Sequence, residues 1–420
     1  MSRGDVLGIG AVLSRSAREV RTRESIAQIG AMGGGAVAAI VAPFVFRATG
    51  TPLSGQVSIA TVTSILVAVL GGGAFAIAYV RVARRTSRWQ RRRMIWRVRD
   101  AASLTIAAAA MAAMAALAAF TVFQRMFQGL LLGRIAATLM AAATVAAACY
   151  LLTNIGQEMS SSGVAVLLGA FLGAGVVAAT LSADDPGWWQ SNFSALGVST
   201  ETSASAFNFT VITAGVVLTT LADYLADDLE RWDGVTRREV RTIRVMLIVI
   251  GLALIGLGSI PVDTSRLVHD INAVSVIVGF GAMILATPFL LRGLPRPFLL
   301  STAVLGVLIL GIVGLWKLFH VYNFTAVEML SVLIIFAWLG LFSRTVASGP
   351  PDPEPEPDIQ PTSEPGRIPA VLDAMPKGHP VQVLPQEAVT PGRRPSALLV
   401  AAGIGMAAGA VLVTLLRRGD

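Results

Sequence analysis

The sequence predicts an all-α fold: a polytopic transmembrane helix bundle of about ten spans, with a further apolar segment at the C-terminus. Three observations carry this. Of the 420 residues, 54% are hydrophobic and only 14% charged, against about a quarter charged in a soluble domain, so most of the surface must face lipid. Apolar runs close to the ~20 residues needed to cross a bilayer recur along the chain. Basic residues gather in alternate connecting loops, as the positive-inside bias requires.

The first 26 residues hold a short apolar patch, Val6 to Leu13, then Arg15, Arg18, Arg21 and Arg23. The 15, 18 spacing puts charges on one helical face, which reads as a helix lying on the cytoplasmic surface. The patch is short and its basic residues follow it, so no cleavable signal peptide is expected, and the first span serves as the insertion signal. Four spans are expected in 27–153: Ala27–Phe46, Val57–Val80, Ala101–Phe120 and Ile135–Leu152. Six more fall in 163–344: Gly163–Leu181, Phe207–Leu225, Thr242–Ser259, Ile271–Leu291, Phe298–Leu315 and Thr325–Phe342. Residues 345–395 are rich in proline and acid (Pro350-Pro351-Asp352-Pro353-Glu354-Pro355-Glu356-Pro357) and should form an extended, disordered cytoplasmic linker. The last apolar run, Ala397 to Leu416, carries Gly405 and Gly409 in a GxxxG spacing that permits close helix contact and a homo-oligomer.

Orientation follows from the loop between the second and third spans. Arg81, Arg84, Arg85, Arg88, Arg91, Arg92, Arg93, Arg97 and Arg99 must stay in the cytoplasm. Alternation then puts the N-terminus and the Arg231–Arg244 loop inside and the Asp184–Glu201 loop outside. The expected location is the cytoplasmic membrane of a bacterium, the Arg- and Ala-rich composition suggesting a GC-rich genome. The net charge of +8 is spent beside the spans, which argues against nucleic acid. The single cysteine, Cys149, excludes an intramolecular disulfide and a cysteine metal cage.

Two groups of residues are candidate sites. Arg81, Arg84, Arg85, Arg88 and Arg92 have the spacing of a basic helical stripe able to bind anionic lipid headgroups, at roughly 1 kcal/mol per basic residue near the surface; the simpler reading is a topology determinant alone. Trp188 and Trp189 suit the interface on the opposite side. There the topology collects Asp184, Asp185, Asn208, His269, Asp270, His320 and Glu328. The structural reading pairs Glu328 with Lys317 or His320 beneath a loop that caps the bundle. The alternatives are a pocket for a lipid headgroup or small polar ligand, and a metal or acid–base site. Two His and a carboxylate suit zinc, but the ligands lack a HExxH-like spacing, so neither metal nor cofactor is expected. Asp223, Asp227 and Asp228 mark the inner end of a span, where neighbouring Arg residues should neutralise them; a proton or cation path through Asp223 is the other reading.

The stretch from Gly163 to Arg344 resembles a bacterial membrane family, domain of unknown function 998, which is distantly similar to the superfamily of the damage-regulated autophagy modulator. The matching features are Pro186-Gly187-Trp188 and Ser194-Ala195-Leu196-Gly197 in the first outer loop, Asn208 and Gly215 in the next span, His269 opening a later one, and Glu328 near the start of the last. The resemblance implies six helices and a membrane location, and no reaction. The functional expectation is a non-enzymatic membrane protein that interacts with lipids or partner proteins. The alternatives are a small-solute transporter and a membrane-embedded hydrolase using the outer polar cluster.

Overall fold

Hydropathy and backbone hydrogen bonding together dictate ten long helices, which the computed structural model describes over residues 3–46, 50–55, 57–183, 185–198 and 202–349, with side chains from Val20 onward apart from Thr202. The helices are α1 (Arg3–Val45), α2 (Ile59–Ala83), α3 (Met94–Met126), α4 (Arg134–Gln157), α5 (Ser161–Leu181), α6 (Thr202–Leu229), α7 (Arg237–Ser259), α8 (Arg266–Leu290), α9 (Arg296–Phe319) and α10 (Phe324–Ala347). Each is long and apolar enough to cross a membrane, α1 from Val20 onward. The expected linker begins inside α10, which runs to Ala347; its residues from 350 onward, the last apolar run with Gly405 and Gly409, and Asp184 lie outside the described residues.

Helix ends are set by capping chemistry, so the helices outrun the apolar runs that announced them. Ser58, Ser160 and Asn323 each accept a backbone N–H at the start of α2, α5 and α10. Thr236 and Glu239 form a reciprocal capping box on α7. α3 begins seven residues before its apolar run and carries Arg97, Arg99 and Asp100 into the helix. Two expectations change here. The basic N-terminal segment is no separate surface helix, because the helix from Arg3 continues into the first span without a break. The basic stripe is not one helical face either. α2 stops at Ala83, Thr86 Oγ1 accepts from Trp89 N to start a one-turn helix at Ser87–Arg91, and α3 starts afresh at Met94.

α6 lies at the centre, packed against α3, α5, α7 and α10, and is the most buried of the spans. Its approach to α7 needs glycine on both sides. A Cβ on Gly215 would sit 2.5 Å from the carbonyl oxygen of Gly251, and one on Gly251 would sit 2.8 Å from that of Gly215. α1 lies along α4 in the same manner, where a Cβ on Gly34 would collide with Cys149 Sγ at 2.4 Å. One apolar core joins the expected four-span and six-span regions: Phe75 and Leu104 pack in the same cluster as Phe171, Leu218, Leu225 and Trp338. Outward-facing positions such as Val307, Leu310 and Leu333 are apolar and exposed, the pattern of a bundle solvated by lipid tails.

Successive helices run antiparallel, which gives the bundle two ends. The Arg-rich end holds the α2–α3, α4–α5, α6–α7 and α8–α9 connections. The opposite end holds the long α5–α6 loop and the α7–α8 and α9–α10 connections, together with a two-residue ribbon pairing Thr51–Pro52 with Leu131–Leu132.

Candidate functional site: two polar ends of the bundle

At the Arg-rich end, the sequence folds so that two carboxylates from distant helices meet the same guanidinium groups. Asp100 is on the second turn of α3 and Asp223 lies less than two turns from the end of α6; both are 2% exposed. Arg92 reaches them at 2.8 and 2.9 Å, and Arg99 at 2.6 and 2.5 Å. Arg88 lies 3.3 Å from Asp100 and 2.8 Å from Asp227, with its guanidinium 3.2 Å over the Tyr224 ring. Arg244 of α7 closes on Asp223 Oδ1 at 2.6 Å. The contacts of Arg244 to Asp223 Oδ1 and of Arg88 to Asp227 Oδ2 are close charge contacts without hydrogen-bond alignment. Deeper in the bundle, Tyr79 and Tyr224 share a hydroxyl hydrogen bond at 3.0 Å, and Ser103 and Thr220 another at 3.1 Å.

Burial opposes the charge of Arg92. The hydrogen bond to Asp223 and the fields of Asp223, Asp100 and Asp227 outweigh it and hold the guanidinium above its ordinary pKa. Arg92 thus ties the α2–α3 segment to Asp100 of α3 and Asp223 of α6 as a charged clamp. Arg88 and Arg92, read from sequence as part of a lipid-facing stripe, are turned inward and consumed here. Arg81, Arg84 and Arg85 are exposed, as are Arg91 and Arg93, and no ion pair joins any of these five among the described residues. Asp223 is neutralised by arginines of the α2–α3 segment as well as by Arg244 of the following helix. Asp100 escaped sequence reading, although it is the one acidic residue between Glu24 and Glu158, which was the available signal.

At the opposite end, the α5–α6 loop folds into two 3-10 turns, Trp188–Gln190 and Phe193–Gly197. Helices far apart in sequence hold it. Glu328 of α10 accepts from Phe193 N at 2.6 Å, and Asn208 of α6 donates to Gly197 O at 3.1 Å. Asn323 Nδ2 donates to Trp189 O at 2.5 Å while its Oδ1 caps α10. His269, 4% exposed, sits between Ile260 O and Ser194 Oγ, each 3.0 Å from a ring nitrogen. Phe193 stands edge-on to Phe207 with ring centroids 5.3 Å apart, Trp188 is half-buried beside Phe193, and Trp189 is 51% exposed. The loop is thus a braced cap.

The expected outer cluster is only partly assembled. Asn208, His269 and Glu328 converge on the cap, but each binds the loop and none binds another. Asp185 accepts from Gly187 N at 2.7 Å in a local turn, and Asp270 is exposed, 3.9 Å from Arg266. His320 is exposed at the end of α9, where it takes a left-handed backbone with φ 51°. Glu328 has the Phe193 amide as its partner, and Lys317 stands 5.0 Å over the Trp316 ring. Among the described residues, no group of three or more His, Cys, Asp or Glu is placed to hold a metal. Ser194 was missed as a partner of His269, since nothing local in a Ser-Ala-Leu-Gly stretch points to a histidine 75 residues away.

Fold and sites together define a polytopic membrane helix bundle with an arginine–carboxylate clamp at one end and a braced loop cap at the other. Residues 164–345, the α5–α10 half that contains the cap, match the model of the family described as protein of unknown function (DUF998). No curated protein and no solved structure matches the chain.

Proposed function

We propose that the protein is a multi-pass protein of a bacterial cytoplasmic membrane, with its Arg-rich end in the cytoplasm, and that this end engages anionic lipid headgroups. The observation that carries the reading is the division of the arginines. Arg88, Arg92 and Arg99 are neutralised inside the clamp, whereas Arg81, Arg84, Arg85, Arg91 and Arg93 are exposed beside the exposed apolar side chains of Met94, Ile95 and Trp96. Unneutralised guanidinium groups next to apolar and aromatic side chains suit the headgroup boundary of an anionic leaflet.

The test compares the intact protein with an Arg84→Gln, Arg85→Gln, Arg91→Gln variant, each reconstituted in discs of phosphatidylcholine and phosphatidylglycerol. At about 1 kcal/mol per basic residue, removing three weakens the preference for the anionic lipid by up to roughly 100-fold at low salt, less once screening is included. Retained phosphatidylglycerol should fall in the variant and, for the intact protein, as salt rises. Equal retention by the two proteins at low salt would refute the reading.

A further inference from the structure

The opposite end of the bundle carries an arrangement that the lipid reading does not use. Ile260 O can only accept a hydrogen bond, so in a neutral imidazole His269 Nδ1 holds the proton and donates it to that carbonyl. Nε2 is then the acceptor, and the group 3.0 Å from it is the hydroxyl of Ser194. A serine hydroxyl donating to an imidazole whose other nitrogen is fixed by a third group is the arrangement of a base-activated nucleophile. The carbonyl stands where many such sites place a carboxylate. It fixes the tautomer and ring orientation without adding a charge.

The turn that presents Ser194 is held on both sides. Glu328 grips the amide of Phe193, the residue before it, and Asn208 grips the carbonyl of Gly197, three residues after it. The aromatic contacts of Phe193 with Trp188 and Phe207 hold the same turn from below. A nucleophile needs this kind of support, because reacting groups work only within a fraction of an ångström of their productive placement. Ser194 is half-buried, not sealed. Leu267 and Val268, next to His269 in the first turn of α8, are exposed, as is Trp189 in the loop that carries Ser194.

We propose that Ser194 and His269 form a catalytic dyad for acyl transfer from carboxylic esters of membrane lipids. Ser194 Oγ bonds to the acyl carbon as its proton passes to His269 Nε2. The ester C–O bond breaks, and the departing alcohol takes that proton. Water from the membrane surface then attacks the acyl-serine, again giving a proton to His269, and releases a carboxylic acid and free Ser194. The substrate class follows from position: an ester arriving sideways from the bilayer meets the exposed apolar side chains first and the hydroxyl at headgroup level. Glu328 and Asn208 are positioning residues that hold the turn. This departs from the non-enzymatic expectation and does not rest on the lipid contact at the Arg-rich end.

The test treats the full-length protein in membranes with an alkyl fluorophosphonate, which reports an activated serine without needing the natural ester. The adduct is expected on Ser194 by peptide mapping, absent in Ser194→Ala, and at least 100-fold slower to form in His269→Asn, whose shorter amide still reaches toward Ile260 O but offers no base. Absence of an adduct on Ser194 in the unmodified protein would overturn the proposal, and that result does not depend on any variant folding. Equal labelling rates in the unmodified protein and His269→Asn would overturn it as well.

Discussion

Asp223→Ala removes the carboxylate on which Arg92, Arg99 and Arg244 converge, and its cost can be worked from the geometry. Truncating one partner of a buried ion pair typically costs about 3–5 kcal/mol, because the remaining charge is stranded in a poor solvent. Here the loss is cushioned, since Arg92 and Arg99 both keep Asp100 at 2.8 and 2.6 Å. Arg244 is half-exposed, so its contact is screened and adds no more than about 1 kcal/mol. The lower part of the range applies, about 3 kcal/mol. A unit of 150–250 residues shifts by roughly 2–4 °C per kcal/mol and a larger one by less; with one core joining α2 through α10, the apparent midpoint should fall by several degrees, at most about 6 °C. Cys149 supplies the assay: it is the only cysteine and is buried, so a thiol-reactive fluorophore reports unfolding in detergent without further engineering. Asp270→Ala, at an exposed pair with a 3.9 Å separation, is the control and should move the midpoint little. The double variant Arg92→Ala, Asp223→Ala should cost less than the sum of the single ones, because each removes what the other strands. If Asp223→Ala shifts the midpoint no more than Asp270→Ala, the network is not a clamp and the reasoning fails.

Three further outcomes follow from particular contacts. Glu328→Gln keeps an oxygen to accept from Phe193 N, whereas Glu328→Ala strands that amide at about 1.5–3 kcal/mol; proteolysis within 185–198 should therefore accelerate in the alanine variant and stay near the native rate in the glutamine one. Gly215→Ala forces a methyl to within 2.5 Å of the Gly251 carbonyl and should lower the midpoint by the equivalent of about 1–3 kcal/mol, while Gly311→Ala, which meets open space in the same kind of helix, should not. His320→Gly should leave the midpoint unchanged or raise it slightly, since glycine takes the left-handed backbone at the end of α9 without the ~1 kcal/mol strain that a side chain brings.

How much of this was legible in advance depends on the range of the physics involved. The ten helices were legible because transfer into lipid is a local sum over ~20 residues. Their ends were not, because caps such as Thr236 with Glu239 and the continuation of α3 back to Met94 are hydrogen-bonding events that hydropathy does not register. The arginine stripe misled for a related reason. Periodicity assumes an unbroken helix, and Thr86 interrupts it, so Arg88 and Arg92 turn inward while Arg81, Arg84 and Arg85 stay outside. The capping loop was marked in the sequence by its Pro-Gly-Trp and Ser-Ala-Leu-Gly elements, and it folds into two 3-10 turns, but its partners were only partly foreseen.

What the sequence by itself determined is the set of groups that lipid will and will not accept, and hence the ten helices and the two chemically different ends. What only the tertiary structure decided is which polar group meets which. Asp100 and Asp223 are 123 positions apart in the chain and share two arginines; Ser194 and His269 are 75 apart and share one hydrogen bond. A buried charge or hydroxyl must find a partner at about 3 Å wherever the packing places one. That placement is settled by contacts such as the glycine-lined approach of α7 to α6, which no local window of sequence contains.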